Sequence, residues 1–186
     1  HDWNVDFAAW CSYKYLNGGP GCIAGIFIHE KYHNDQTLPR FAGWWGHDKK
    51  SRFDMPSQFE HIPGAEGWQC SNPPIFPLAS LRASMEIFQS AGMEALREKS
   101  TSLTAYLSFL LSKLPLEIIT PLSNQERGCQ LSLRMKKDGK SVFRKITESG
   151  FIVDWREPDV IRVAPVPLYN SYHEVWEFAE KLKSLV

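Results

Sequence analysis

The apolar pattern changes near Phe76, and this change constrains the fold more than any other feature of the sequence. Beyond it, large apolar residues recur every three or four positions, which predicts two successive helices. The residues that carry this pattern are Leu78, Leu81, Met85 and Phe88 in the first run, and Leu96, Leu103, Leu107 and Leu111 in the second. Pro115 ends the second run because proline cannot continue a helix.

Beyond Pro115, the sequence predicts the order strand, strand, helix, strand, strand, helix. Strand candidates lie at 116–119, 129–135 and 160–164, and FIVDW (151–155) is a shorter one. GKSVFRKITESG is expected to form a helix that is closed by its final glycine. The last helix is expected to bury an apolar face made of Val175, Trp176, Phe178, Ala179 and Leu182. This order, after two long helices, indicates a small α+β domain.

The stretch before Phe76 has a different organisation. VDFAAW (5–10) and IAGIFI (23–28) are expected to form two buried strands joined by the turn LNGGPG. Residues 31–76 are rich in Trp, Gly, Pro and His and have no clear period, which is typical of a functional loop region. The chain begins at His1 instead of methionine and enters a strand almost at once. We therefore expect it to be a segment of a longer chain.

Composition excludes several classes of function. The 21 basic and 21 acidic residues give a formal net charge of zero, so no electrostatic footprint for nucleic acid or an anionic membrane is visible. The longest apolar runs, IAGIFI and AYLSFLL, are too short to span a bilayer. The four cysteines are scattered without a CxxC pair, which indicates reduced thiols in an intracellular protein; they are Cys11, Cys22, Cys70 and Cys129.

Two motif-like strings lack the context that their chemistry requires. His29 and His33 match the HExxH zinc pattern, which needs both histidines on one helical face, but the string follows a predicted strand. The segment 19–24 fits GxGxxA, yet it leads into a strand and so offers no helix N-terminus to a pyrophosphate. No G-x-S-x-G elbow is present to anchor a serine triad.

Lys14 lies in CSYKYLNGG, where the first predicted strand ends. A lysine at such a place can act as a nucleophilic amine that forms a Schiff base with pyridoxal phosphate (PLP) or with a carbonyl substrate. The ordinary alternative is a solvated or ion-paired lysine. The surrounding sequence favours the first interpretation.

Several separated blocks, in order along nearly the whole chain, resemble the kynureninase family. They are SYKYLNGGPGCIAGIFIHEK, GWWGH, SRFDM, PGAEGWQCSNPPI and IRVAPVPLYN. The resemblance implies an α/β fold, namely the C-terminal part of a PLP enzyme of fold type I, the aspartate aminotransferase-like class. Residues 1–76 would be the last part of the large PLP-binding domain. Residues 77–186 would be connecting helices and the small C-terminal α+β domain.

The resemblance also implies an activity and partners. Kynureninases are PLP-dependent hydrolases of a C–C bond, which convert L-kynurenine or 3-hydroxykynurenine to anthranilate or 3-hydroxyanthranilate plus L-alanine. A homodimer in the cytoplasm is implied, with a small-molecule substrate and neither nucleic acid nor membrane as a partner. The associated pathways are tryptophan catabolism through kynurenine and NAD biosynthesis.

Five site residues before Phe76 take their roles from the resemblance. Lys14 matches the Schiff-base lysine that also moves the substrate α-proton, and Tyr13 matches a catalytic tyrosine that hydrogen-bonds the cofactor phosphate and also delivers protons. Trp44 and Asn72 match cofactor-pocket residues, and Asn72 is placed to reach the substrate ring. His47 resembles a position near the aryl group. The alternatives are a packed ring for Tyr13 and a histidine on a surface loop for His47.

Arg162 lies in VIRVAPVP, an otherwise apolar strand in which an unpaired charge is costly to bury. The carboxylate of an amino-acid substrate would satisfy its planar guanidinium, and the resemblance implies this role. The alternative is an ion pair with Asp154 or Asp159.

The family pattern also requires groups that this sequence lacks. An aspartate facing the pyridine nitrogen, a stacked aromatic ring and the main phosphate-binding residues lie upstream in kynureninases. We therefore expect the isolated chain not to be a competent enzyme, although the protein that contains it would be. Three alternatives remain open: another fold-type-I enzyme such as an aminotransferase or cysteine desulfurase, a zinc hydrolase using His29 and His33, and a non-catalytic truncated paralogue that acts as an interaction module.

Overall fold

The structure is a computed structural model that describes residues 2–186, and the chain forms two compact units. The first unit ends at Ile87 and the second begins at Phe88. This division lies inside the first long helix, α1 (Ile75–Ala91). The boundary that we expect between residues 76 and 77 separates the large and small domains implied by the family resemblance. It stays a prediction.

The first unit opens with an antiparallel pair of strands, β1 (Phe7–Trp10) and β2 (Gly25–Ile28), with Phe7 opposite Ile28. Both strands were predicted, and both are shorter than the apolar runs that indicated them. The expectation that β1 is buried is wrong, because Phe7 and Trp10 are each 45% exposed. The reason is that this sheet has only two strands among the described residues, which leaves β1 covered on one edge alone.

The loop region that follows contains only three short 3₁₀ turns, as the lack of periodicity predicted. They span Glu30–Tyr32, Trp44–Gly46 and Ala65–Trp68. Two glycines allow the loops to pack closely. A Cβ atom at Gly43 would overlap the backbone of Cys70, and one at Gly67 would overlap the carbonyl oxygen of Ile62.

Helix α1 confirms the first helical prediction, but its expected apolar face is not buried within the described residues. Ser84 is the buried residue of this helix. The exposed apolar side chains of α1 are Ile75, Phe76, Leu78, Met85 and Ile87. Apolar spacing indicates which face a partner would cover, and the described part of the chain does not cover this one.

The second unit packs helices against one face of a four-stranded antiparallel sheet. Its elements are α2 (Met93–Leu111), β3 (Leu116–Ile118), β4 (Leu131–Met135), α3 (Gly139–Glu148), β5 (Asp154–Arg156), β6 (Val160–Val163) and α4 (Tyr172–Lys183). The strand order is β3-β4-β6-β5. The predicted order of strands and helices is therefore confirmed.

One contiguous core holds this unit together. The stripe of leucines on α2 packs against alternate residues of β4 and β6 and against the inner face of α4, and these side chains are almost fully buried. The least exposed of them are Leu103, Leu107, Leu111, Leu131, Leu133, Ile146, Ile161 and Leu182. Each such burial contributes roughly 1.5–3 kcal/mol relative to exposure.

Two details of the second unit differ from expectation. Trp176 was assigned to the apolar face of α4, but it is 44% exposed and stacks on His173 instead. Its position lies about 100° around the helix from Val175, outside the buried stripe. Strand β5 begins at Asp154, later than FIVDW predicted, and Ile152 is fully exposed.

Candidate functional site

Lys14 lies in a tight bend, residues 12–22, that follows β1 and is called the Lys14 bend below. The Asn17 amide donates to the Lys14 carbonyl at 2.9 Å, and the Gly18 amide donates to the Ser12 carbonyl at 2.9 Å. The Lys14 Nζ lies 5.4 Å from the centroid of the Tyr13 ring. Both side chains are exposed, and within residues 2–186 no carboxylate forms an ion pair with Lys14. Its amine is therefore accessible for a covalent bond.

Ser12 ties the beginning of this bend to the strand that returns. Its side chain is buried, its hydroxyl donates to the carbonyl of Ile23, and its Oγ lies 3.5 Å from the Cys22 sulfur. Between these anchors the chain takes positive φ at Asn17 and Gly19. The turn chemistry of LNGGPG thus returns the chain to Ser12 just before the start of β2.

Trp44 and Trp45 stand edge to face, with ring centroids 5.2 Å apart, but their surroundings differ. Trp45 lies beneath the guanidinium of Arg52 at 4.7 Å, and Arg52 donates to its carbonyl at 2.8 Å. Trp44 is 44% exposed and contacts Phe53 at 5.8 Å. Trp45 therefore serves loop packing, while Trp44 keeps an open face.

His47 is buried, with 5% of its surface exposed, so the alternative of a histidine on a surface loop is wrong. Its Nδ1 accepts the amide N–H of Glu60 at 3.2 Å, and its Nε2 lies 3.1 Å from the Ser51 hydroxyl. Because Nδ1 accepts, the neutral ring carries its proton on Nε2 and donates it to Ser51. Both ring nitrogens thus hold the loop between residues 47 and 60 closed.

Asn72 lies on an exposed segment, with its Oδ1 3.3 Å from the Ser71 hydroxyl. The close approach of Gly43 to Cys70 brings this segment beside GWWGH. The structure therefore gathers Trp44, His47 and Asn72 on loops that pack together. Within residues 2–186, no hydrogen bond or ring contact links these three to Lys14 or Tyr13.

Arg162 lies on β6 in the second unit and is bound to a carboxylate of its own sheet. Its Nε donates to the Asp154 Oδ2 at 2.7 Å, and its Nη2 contacts the same oxygen. Asp159 instead lies 3.9 Å from Arg134. The structure therefore shows the intramolecular pair that was the alternative to a substrate clamp.

A cleft of about 530 Å³ lies in the second unit between the end of β6 and the start of α4. Its lining includes Val163, Pro165, Tyr169 and Phe178, but not Arg162. The reason is that successive residues of a strand face opposite sides of the sheet. This cleft therefore does not contain the predicted carboxylate-binding residue.

The two histidines of HExxH are not arranged as zinc ligands on a helix. His29 caps a 3₁₀ turn, where its Nδ1 accepts the Lys31 amide at 3.2 Å, and the His33 Nε2 lies 3.1 Å from the Ile28 carbonyl. Among residues 2–186, no group of three or more His, Cys, Asp or Glu side chains could hold a metal ion. Nor does this part of the chain include a helix that is long and apolar enough to cross a membrane.

Sequence reasoning missed two serines of α1 that touch the Lys14 bend. Ser80 and Ser84 donate to the carbonyl oxygens of Gly18 and Leu16. A signal was available, because the two serines are four residues apart and therefore share one face of the helix.

The fold is that of the C-terminal part of PLP-dependent enzymes of fold type I. A solved structure of C-DES, in a mutant with glycine covalently linked to the PLP cofactor, matches with a TM-score of 0.75 at 19% identity. The match covers 96% of this chain and 46% of that chain. At this identity, the likeness establishes the fold alone.

Sequence comparison relates the chain to kynureninases. Residues 96–182 match the family model of the kynureninase C-terminal domain. The kynureninase of Koribacter versatilis is 56% identical over 184 residues, which are 97% of this chain and 43% of that protein. The kynureninase of Myxococcus xanthus is 54% identical over 186 residues, which are 98% of this chain and 44% of that protein. By sequence, the chain is similar to the C-terminal portion of kynureninases, and it spans less than half the length of these relatives.

Proposed function

We propose that the protein containing this chain is a PLP-dependent kynureninase. It would hydrolyse L-kynurenine or 3-hydroxykynurenine to anthranilate or 3-hydroxyanthranilate plus L-alanine. The observation that carries this proposal is the 56% identity to a kynureninase over 97% of the chain. The isolated 186-residue chain is proposed to be inactive, because it spans less than half of such a protein.

The Lys14 bend has the chemical properties that PLP requires. Its primary amine is exposed and unpaired with any carboxylate of residues 2–186, and the Tyr13 hydroxyl beside it is also exposed. Gly19 and Gly21 of LNGGPG leave space for a phosphate or ring to approach the backbone, because a Cβ atom at either would meet no atom closer than 3.9 Å. When bound, PLP supplies an electron sink that stabilises negative charge at the α-carbon of an amino acid.

The side chains of the first unit then have separate tasks. The Lys14 amine would hold the cofactor covalently, and it would also move a proton at the α-carbon of the bound amino acid. The Tyr13 hydroxyl would donate to the cofactor phosphate. Trp44 and the Asn72 amide line the pocket, and Asn72 orients the aromatic ring of the substrate. His47 fixes the loop that carries Trp44, through its hydrogen bonds to Glu60 and Ser51.

Arg162 is proposed to bind the substrate carboxylate. A guanidinium presents two parallel N–H groups to a carboxylate, which gives both affinity and orientation. In this role Arg162 exchanges the carboxylate of Asp154 for that of the amino acid. The partial exposure of both side chains supports such an exchange, because a half-hydrated pair is held weakly.

A homodimer in the cytoplasm is the proposed assembly and location. The first unit exposes large apolar side chains that a second copy would cover, among them Trp3, Phe41, Met55 and Phe76. All four cysteines are free thiols, which suits a reducing compartment. The proposed role is in tryptophan catabolism and NAD biosynthesis, with no nucleic acid or membrane as partner.

The test uses the full-length protein that contains this chain, in parallel with Lys14→Ala and with Lys50→Ala as an exposed-lysine control. Visible absorbance after PLP addition reports covalent attachment, and anthranilate fluorescence after kynurenine addition reports the reaction. We expect both signals in the wild type and in Lys50→Ala, and neither in Lys14→Ala. Attachment without anthranilate would assign another PLP reaction, such as that of an aminotransferase. A wild type without attachment would refute the proposed role of Lys14.

A further inference from the structure

Helix α1 contacts the Lys14 bend through one face. The Ser80 hydroxyl donates to the Gly18 carbonyl at 2.9 Å, and the Ser84 hydroxyl donates to the Leu16 carbonyl. Ser84 is the buried residue of α1, and its neighbours on other faces of the helix are exposed. The two serines therefore make a polar and directed contact between α1 and the bend.

A third contact joins the same two segments. The Cys22 sulfur lies 3.5 Å from the carbonyl oxygen of Pro77, in the first turn of α1. A Cβ atom at Gly18 would lie 2.5 Å from that sulfur and 2.9 Å from the Ser12 carbonyl. Gly18 is thus enclosed by Cys22, Ser12 and the Ser80 hydroxyl, and it has little room to move.

The bend needs such support because its backbone is intrinsically permissive. Asn17, Gly19 and Gly21 all have positive φ, and the glycines among them have many alternative conformations. The internal backbone hydrogen bonds of the bend end on the carbonyls of Ser12, Lys14 and Gly19. The carbonyls of Leu16 and Gly18 are oriented from outside the bend by α1.

We infer that Ser80 and Ser84 are positioning residues for Lys14. By fixing two carbonyls of the bend, they hold the Lys14 backbone in the one arrangement from which its amine meets the cofactor aldehyde. This inference rests on the proposed function, since Lys14 must be the amine that binds PLP. A purely structural role would instead leave the amine chemistry unchanged when the hydroxyls are removed.

The experiment compares Ser80→Ala, Ser84→Ala and their double variant in the full-length protein containing this chain. Ser90→Ala is the matched control, because Ser90 is exposed on the same helix. Ser80→Thr retains the hydroxyl at an exposed position and serves as the rescue variant. Two rates are measured: amide hydrogen exchange of Asn17 and Gly18, and borohydride-trapped attachment of PLP to the Lys14 peptide, quantified by mass spectrometry as a function of pH.

We expect each Ser→Ala change to accelerate exchange and to slow PLP trapping by roughly fivefold, the factor that corresponds to one ordinary hydrogen bond. Ser90→Ala and Ser80→Thr should behave as the wild type, and amide exchange in β4 and β6 should be unchanged if folding is intact. Wild-type trapping in the alanine variants would overturn the inference while leaving the proposed function in place. Failure of the wild type itself to trap PLP at Lys14 would overturn both.

Discussion

Arg162 and Asp154 are paired in register across β6 and β5, and the Arg162 Nε donates to the Asp154 Oδ2 at 2.7 Å. Arg156 approaches the same oxygen at 3.2 Å, so one carboxylate oxygen serves two guanidiniums. The side chains of Arg162 and Asp154 are 31% and 47% exposed. An ion pair with this much water contributes at most about 1 kcal/mol to stability. Opening the pair to admit another carboxylate therefore costs little free energy.

The first prediction concerns Arg162→Lys in the full-length protein. Lysine keeps the positive charge but loses the two parallel N–H groups, so binding of a substrate carboxylate should weaken. We expect KM for kynurenine to rise by about tenfold or more, which corresponds to the loss of a charge-assisted hydrogen bond. The measurement is steady-state kinetics, together with the unfolding midpoint of the variant.

Arg156→Lys is the matched control, because Arg156 contacts the same carboxylate from a more exposed position. It should leave KM unchanged. If both variants raise KM equally, the effect comes from the charge around Asp154, and the clamp role of Arg162 is wrong.

The second prediction concerns the contact between GWWGH and the segment that carries Asn72. In Gly43→Ala the new methyl group would overlap the Cys70 backbone, so the two loops must separate. We expect a destabilisation of about 1–3 kcal/mol, in the range of overpacking substitutions, and faster amide exchange at residues 43–47 and 67–72. Hydrogen exchange with mass spectrometry localises the change.

Gly128→Ala is the control for this substitution, because a Cβ atom at Gly128 meets nothing within 4 Å. Gly128→Ala should change the free energy of unfolding by no more than about 0.5 kcal/mol. Normal exchange at residues 67–72 in Gly43→Ala would show that the loops tolerate the methyl group and that the close approach is dispensable.

The second unit was predictable from the sequence because its local and long-range signals agree. The leucine spacing of α2, the alternation in β4 and the glycine that closes α3 each specify an element that the core then uses. Trp176 shows the limit of this reasoning. Apolar character alone placed it on the buried face, whereas the helical angle places it outside.

The loops of the first unit were less predictable because side-chain contacts hold them, and such contacts leave no periodic signal. His47 is buried by its hydrogen bonds to Glu60 and Ser51, and nothing in the sequence around it indicates this. Burial of β1 was predicted wrongly because an apolar run shows only which residues a partner would cover. The roles of Lys14, Tyr13 and Asn72 come from the family resemblance, and they stay predictions.

The third prediction tests the core of the second unit. Leu133 lies on β4, is fully buried and belongs to the main apolar cluster. Leu133→Ala should lower the free energy of unfolding by about 2–5 kcal/mol, because it removes buried methyl groups and leaves a cavity. Leu122→Ala is the control, since Leu122 is largely exposed and its loss should be nearly neutral. Similar losses in the two variants, measured by denaturant unfolding, would contradict the assigned core.

The fourth prediction concerns the capping box at the start of α4. Ser171 accepts the Glu174 amide with its hydroxyl, and the Glu174 carboxylate accepts the Ser171 amide. This backbone N–H, followed by the Ser171 hydroxyl, lowers the pKa of Glu174 below its ordinary value of 4.5. A carboxyl group with a lowered pKa stabilises the folded state above its unfolded pKa, and that contribution is lost as the pH falls through the folded pKa.

The stability difference between the wild type and Glu174→Gln should therefore be largest at neutral pH. It should shrink as the pH falls below 4.5, because the protonated wild-type side chain then resembles glutamine. Urea unfolding, followed by circular dichroism at several pH values, measures this difference. Glu180→Gln, at an exposed carboxyl near the other end of α4, serves as the control for the replacement of glutamate by glutamine. If the stability difference between the wild type and Glu174→Gln stays constant across this pH range, the carboxylate charge does not stabilise the start of α4.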